Sequence, residues 1–312
     1  MPSLKSPRKG SLQFWPRKRV SKFLPSVNWN AINSGKNIKG FICYKVGMTS
    51  AIAKDQTPNS MTLGKRVAIP VTILECPPIK IFSVRFYRNN IVAKEIINEN
   101  VDKELGRKVK LPKIKHKLED IKHNEYEDVR IIVYSEVKKT GIKKTPDLVE
   151  VGLNGSFEEK IKFIKEHMNK DLYVENFFSS GQLVDLRGLT KGKGLQGPVK
   201  RFGIQLKNHK SEKGRRRPGS LGPWHPARVT FRVPMAGQIG LFNRVVYNNH
   251  ILKIGKAEDK LANIKNYGDV KTDYLLVYGS VQGPAKRQLL ITAPLRETKK
   301  QKKKKYEFLE LK

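Results

Sequence analysis

The stretch GFICYKVGMTSAIAKDQTPNSMTLGKRVAIPVTILECPPIKIFSVRFYR, residues 40–88, decides the fold class. It contains three short runs rich in β-branched and aromatic residues: GFICYKVGMT (40–49), RVAIPVTILEC (66–76) and IKIFSVRFYR (79–88). The turn clusters DQTPNS and CPP separate them, which is the signature of strands punctuated by turns. Four further runs read the same way: GQLVDLRG (181–188), NRVVYNNHILKIG (243–255), DYLLVYGSV (273–281) and RQLLITAP (287–294). Six or so strands with a break in the middle predict a mainly β (α+β) chain built on a small closed β-barrel.

The break, 89–180, differs in charge from everything around it. It holds eighteen Lys or Arg and seventeen acids, so the other 220 residues carry +34 of the chain's +35. Within the break, YEDVRIIVYSEV reads as a strand, and Ser156 to Met168 reads as a helix. Ser156 and Glu159 have capping-box spacing, and Phe157, Ile161, Ile164 and Met168 fall on one face, the pattern of core packing. The expected order is a basic arm (1–38), a first barrel part (39–88), a near-neutral inserted α/β subdomain (89–180) and a barrel strand (181–187). A long basic loop (188–232), a second barrel part (233–295) and a basic tail (296–312), read as solvated or phosphate-binding, follow.

Residues 188–232 are the unusual segment. Eight glycines, twelve basic residues and one acid, Glu212, lie between two expected strands. A long loop with little periodicity and both ends anchored is usually functional or disordered, and this charge suits a probe pushed into RNA. GKGLQG (192–197) matches a dinucleotide-binding glycine pattern, but Pro198 follows it and no acid lies near residue 217, so a ribose partner is missing. Lys193 is followed by Gly194 and not by Ser or Thr, which removes a Walker loop. Backbone N–H groups with Lys191, Lys193, Lys200 and Arg201 on RNA phosphates fit better.

Further along, RRRPGSLGPWHPARVTFRVPMAGQIG (215–240) sets Arg215, Arg216 and Arg217, suited to bidentate phosphate contacts, before a proline-stiffened turn. Trp224 either folds back onto the barrel or stacks on an RNA base; Gly222 and the flanking prolines favour a projecting turn. His225, Lys207, Lys210, Arg228 and Arg232 complete the loop's candidate RNA contacts. In the N-terminal KGSLQFWPRKR, Trp15, Arg17, Lys18 and Arg19 do the same for the arm.

The composition excludes other classes. No run of about 18 apolar residues exists, which argues against a membrane span, and the first ten residues lack a signal-peptide h-region. Cys43 and Cys76 are isolated, so a disulfide framework and a thiolate zinc site are not expected, and a reducing cytoplasm is the default. Six histidines fall at no metal-ligand spacing; His116 with Asp120 and His123 with Glu127 read as solvated surface. No cofactor and no small-molecule substrate are implied. An RNA-acting enzyme would need clustered carboxylates or a cofactor loop in the basic segments. A DNA-compacting protein would not need a tethered Gly- and Pro-rich loop. A structural RNA binder remains.

The residues also carry a resemblance. VDLRGLTKGKGLQGPVKRFG (184–203), GSLGPWHPARVTFRVPMAGQIG (219–240) and KGSLQFWPRKR (9–19) resemble the ribosomal protein L-three family of the large subunit, in its archaeal type. Phe202 departs from that pattern, where Trp is usual, as do Leu241 and Phe242, where Tyr and His are usual. The resemblance implies a β-barrel with an inserted subdomain and early, direct binding to large-subunit rRNA. It also implies neighbouring ribosomal proteins as partners and a loop reaching toward the peptidyl transferase centre, with Trp224 at its tip.

Overall fold

A computed structural model of the chain describes residues 7, 10–112, 125–259 and 261–312. The start of the basic arm, and the His116 and His123 pairs, lie outside the described residues. The strands are β1 (Gly40–Asp55), β2 (Arg66–Glu75), β3 (Ile79–Arg88), β4 (Ile91–Ile97), β5 (Asp128–Ser135), β6 (Leu148–Gly152) and β7 (Leu183–Leu189). They continue with β8 (Leu195–Gln196), β9 (Gly237–Gln238), β10 (Asn243–Gly255), β11 (Tyr274–Tyr278), β12 (Gln288–Thr292) and β13 (Tyr306–Leu311). The helices are α1 (Phe157–His167), α2 (Pro198–Phe202) and α3 (Lys299–Lys302). The chain divides into two compact units, Phe23–Gly188 with Arg244–Lys312, and Met1–Lys22 with Leu189–Asn243.

The larger unit carries two sheets. The first runs β12-β7-β10-β11-β2-β1-β13, and β1 also pairs with β12, so six strands follow one another round a ring. Strand β1 makes this possible. Its first part, Gly40 to Tyr44, pairs with β12, its last part, Ala51 to Asp55, pairs with β13, and Tyr44 to Lys54 pairs with β2 on the other edge. A register shift between Lys45 and Gly47 lets so long a strand bend.

Ile79–Arg88, expected in the barrel, belongs instead to the second sheet, β4-β3-β5-β6. The cause is local: Pro77 and Pro78 have no N–H to continue a ladder, so the chain leaves the first sheet after Cys76. Strands β4 and β6 are additions to the single strand read in the insertion; both are short and interrupted by charge. Helix α1 forms as expected. Ser156 Oγ accepts from Glu159 N at 3.3 Å, and the Glu159 carboxylate accepts from Ser156 N at 2.9 Å. It buries Phe163 and Ile164 most deeply, whereas Phe157, Ile161 and Met168 are only partly covered.

The charges of the second sheet pair with one another. Arg85 reaches Glu95 and Glu150, each at 2.9 Å, and Arg130 reaches Asp128 and Glu150, each at 3.2 Å. Lys80 sits among Glu136 (2.7 Å), Asp102 (3.3 Å) and Asp171 (3.5 Å).

The C-terminal tail is not simply solvated. YEFLEL, 306–311, alternates in the manner of a strand and pairs with β1, a period-two signal overshadowed by the lysine run before it. Tyr306 stacks on Tyr278 with ring centroids 5.8 Å apart, Phe308 and Leu311 pack on a buried apolar cluster, and the Gln301 carbonyl meets His250 Nε2 at 2.7 Å.

Trp29, 2% exposed, joins the two sheets. A Cβ added at Gly40 would lie 2.7 Å from its ring, and one at Gly152 2.7 Å from its Cβ. Beside it, Lys39 N donates to the Gly152 carbonyl at 3.0 Å. Adding a methyl here overpacks a filled joint. Gly152→Ala is therefore expected to cost about 1–3 kcal/mol in urea unfolding, while Gly106→Ala, with open space at its Cβ, changes stability by less than about 0.5 kcal/mol. Equal midpoints for the two variants would show that Trp29 is not closely seated.

Candidate nucleic-acid interface

The smaller unit, Met1–Lys22 with Leu189–Asn243, contains nineteen Lys or Arg and a single acid, Glu212. It cannot neutralise itself. Its order comes from the base of the loop, where backbone groups pair across a narrow stem. Thr190 N donates to the Phe242 carbonyl (3.0 Å), Lys193 N to the Ile239 carbonyl (3.0 Å) and Ile239 N to the Gly194 carbonyl (3.0 Å). Strands β8 and β9 continue that ribbon. Gly240 takes φ +74°, and a Cβ there would fall 1.9 Å from the Lys191 carbonyl oxygen, so the stem can close only on glycine.

The loop read as lacking periodicity therefore holds two short elements, β8 and α2. Helix α2 starts at Pro198, whose missing N–H costs nothing at that position, and ends on left-handed Gly203. At one and a half turns it was too short to leave a helical period in the sequence.

Three predicted RNA contacts are spent inside the unit. Arg201 donates from Nε to the Gln238 carbonyl at 3.0 Å and from Nη1 to the Met235 carbonyl at 2.9 Å, and burial pulls its guanidinium below the usual range. It ties the outgoing chain to the returning one. Phe202 is 5% exposed: Trp15 stacks on it at 6.2 Å and 19°, and the Arg17 guanidinium lies over it at 4.4 Å. Trp15 also meets Phe231 edge-on at 5.6 Å and donates from Nε1 to the Ser11 carbonyl at 2.7 Å. Trp15, Arg17 and Arg201 thus form a clasp around Phe202 that holds the arm to the loop stem. A Cβ at Gly10 would fall 2.6 Å from Phe202, so the arm approaches it closely. Phe202, which stands where the family pattern has Trp, packs internally. Its importance could have been read from its place just before a helix-ending glycine.

The remaining candidates face outward. Lys18, Arg19, Lys191, Lys193, Lys200, Lys207, Lys210, Arg215, Arg216, Arg217, His225, Arg228 and Arg232 are all exposed. Lys213, which the sequence reading did not single out, is exposed among them. Lys207 and Arg215 exchange backbone contacts: Lys207 N donates to the Arg215 carbonyl at 3.1 Å, and Arg215 Nε to the Lys207 carbonyl at 3.2 Å. This pinch projects the three arginines together. Every residue from 221 to 230 is exposed, and Trp224 is 88% exposed, so the indole is not folded back. Leu195 (80%) and Phe231 (64%) also show apolar surface. A tip with cations, a bare indole and no core of its own is built to be covered by something else. A polyanion carrying flat rings supplies both missing halves.

Comparison with known proteins agrees with this geometry. The family described as Ribosomal protein L3 matches residues 1–110 and 85–312. The large ribosomal subunit protein uL3 of Methanocaldococcus jannaschii is 38% identical over 310 residues, covering 94% of this chain and 92% of that protein. The proteins of the same name from Archaeoglobus fulgidus (38% over 309 residues) and Methanobrevibacter smithii (39% over 312) match 94% of this chain and 93% of their own lengths. A match of this extent along the chain establishes that it belongs to the ribosomal protein L3 family, in its archaeal type, and is a structural component of the ribosome, not an enzyme.

Proposed function

We propose that the chain is a constituent of the large ribosomal subunit in the cytoplasm that binds large-subunit rRNA directly and early in assembly. The basic loop extends toward the peptidyl transferase centre and organises it. The observation that carries this reading is the smaller unit itself, with nineteen cations, one anion and an exposed indole at its tip. In this reading the ring of six strands is a closed barrel that serves as the mount. The near-neutral insertion faces away from most of the rRNA, where neighbouring ribosomal proteins are its partners. The exposed cations of the arm and loop neutralise phosphates, while Trp15, Arg17 and Arg201 support them from within.

Three experiments test the reading. Neutralising about six to ten phosphates makes affinity fall by roughly three to five decades between about 50 and 200 mM salt. A nearly flat plot of log affinity against log salt would remove rRNA as the partner. Limited trypsin digestion of the free protein is expected to cut first between Lys207 and Arg228, where no core protects the chain, and to spare Arg201 and residues 125–180. First cleavage within 125–180 would contradict the division of labour. Finally, Trp224→Ala is expected to leave incorporation into subunits normal, because many cations share attachment. It should cost about 1–3 kcal/mol of base stacking, read as altered chemical reactivity of nearby rRNA bases and altered tRNA or antibiotic binding. Wild-type probing patterns and tRNA affinities in fully loaded mutant subunits would show that the indole contacts nothing.

A further inference from the structure

The larger unit carries a second basic surface, remote in sequence from the loop. It is made by the turn between β1 and β2 and by the chain entering β13. Asp55, 5% exposed, organises the turn: its carboxylate accepts from Thr57 N (2.8 Å), Ser60 Oγ (2.8 Å) and Thr62 Oγ1 (2.5 Å). The turn closes with Gly64 N on the Asp55 carbonyl at 2.8 Å. At its tip Met61 is 97% exposed and Leu63 56%. The tail is tied to this turn. Gln56 N donates to the Lys305 carbonyl at 2.9 Å, Lys305 N to Thr57 Oγ1 at 3.1 Å, and Gln56 Nε2 to the Glu307 carboxylate at 2.6 Å.

The consequence is a concentration of like charge. Lys54, Lys65 and Arg66 on the turn stand beside Lys303, Lys304 and Lys305 on the tail, all exposed except the half-buried Lys304, whose ammonium lies 5.8 Å from the Tyr278 ring centroid. Two acids lie nearby, Asp55, turned inward by its three donors, and Glu307, opposite Lys54 and bonded to Gln56, so the six cations keep a net charge of +4. Six cations gathered on a rigid support repel one another in the free protein, and a polyanion relieves that repulsion. The rigidity matters because a phosphate contact formed by a pre-placed side chain loses less ordering entropy. Met61 adds an apolar side chain held upright at the same edge, a type used as a wedge or a soft contact against sugars and bases.

We infer that the turn 55–66 and the tail segment 303–305 form a second RNA-binding site, with Lys54, Lys65, Arg66 and Lys303–Lys305 on phosphates and Met61 on a sugar or base face. The inference deepens the rRNA-binding reading, on which it rests, and separates from it experimentally. The slope of log affinity against log salt for large-subunit rRNA is to be measured for the full chain, for Lys65→Ala/Arg66→Ala and for Arg215→Ala/Arg216→Ala. Each double variant is expected to reduce the slope by about 2, one for each phosphate contact removed, with unfolding midpoints equal to the wild type. A reduced slope for the loop variant alone would overturn the second site and leave the loop's role standing; unchanged slopes in both would remove the rRNA reading itself. A photoreactive methionine analogue placed at position 61 in assembled subunits is expected to form an adduct with rRNA. An adduct only with another protein would make this surface a protein contact and overturn the site.

Discussion

A unit with nineteen cations and one anion, made of the arm and the loop, cannot fold by closing a core. Mutual repulsion opposes compaction, and the few apolar side chains cannot offset the ordering entropy. Order therefore enters from the base. The backbone pairs of the stem, the Arg201 cross-link and the clasp around Phe202 fix the first and last residues of the loop. Beyond them the chain is held by glycine, proline and local contacts such as those between Lys207 and Arg215. Strands β7 and β10 of the first sheet lead into and out of the loop.

The same residue type serves opposite ends according to its partners. Arg85 and Arg130 lie between carboxylates on the face of the second sheet, where their charge is consumed. Arg201 has no carboxylate and instead donates to two carbonyls, an arrangement in which the planar fork acts as a bracket between strands. Arg215, Arg216 and Arg217 are exposed on a pinched turn, and none meets a carboxylate, though Arg215 Nε donates to the Lys207 carbonyl. The Arg85 and Arg130 pairs are half-buried, and by matching each guanidinium with carboxylates they remove a cationic face that would attract polyanions.

Much of this was legible in the sequence because it rests on local pattern. The runs at 40–49, 66–76, 181–188, 243–255, 273–281 and 287–294 became strands of the ring, and the Ser156 box became the start of α1. The charge map separated 89–180 from the rest. What the sequence did not reveal depended on pairing partners distant in the chain. Whether 79–88 joins the first or second sheet is decided by Pro77 and Pro78, which read equally well as an ordinary turn. Strand β13 needed β1 as its template. Trp15, Arg17 and Arg201 read as RNA contacts because aromatic and cationic residues look alike in sequence whether they face a base or a phenylalanine. Only the fold shows that they meet Phe202.

The exposed indole of Trp224 shows how the energy of such a loop is apportioned. Burying a tryptophan removes on the order of 150–250 Å² of surface, about 4–6 kcal/mol at roughly 25 cal/mol per Å². Ordering each backbone residue costs about 1–2 kcal/mol, so a flexible tip of ten residues would cancel that gain and more. Pro218, Pro223 and Pro226 lower this cost by restricting the chain before it binds. The Lys207–Arg215 pinch shortens the segment that remains to be ordered. What survives is a modest net gain from the ring itself, small beside the summed phosphate contacts of the surrounding cations. The cations therefore set whether the loop is attached, and the indole sets where the nucleotide beneath it can sit.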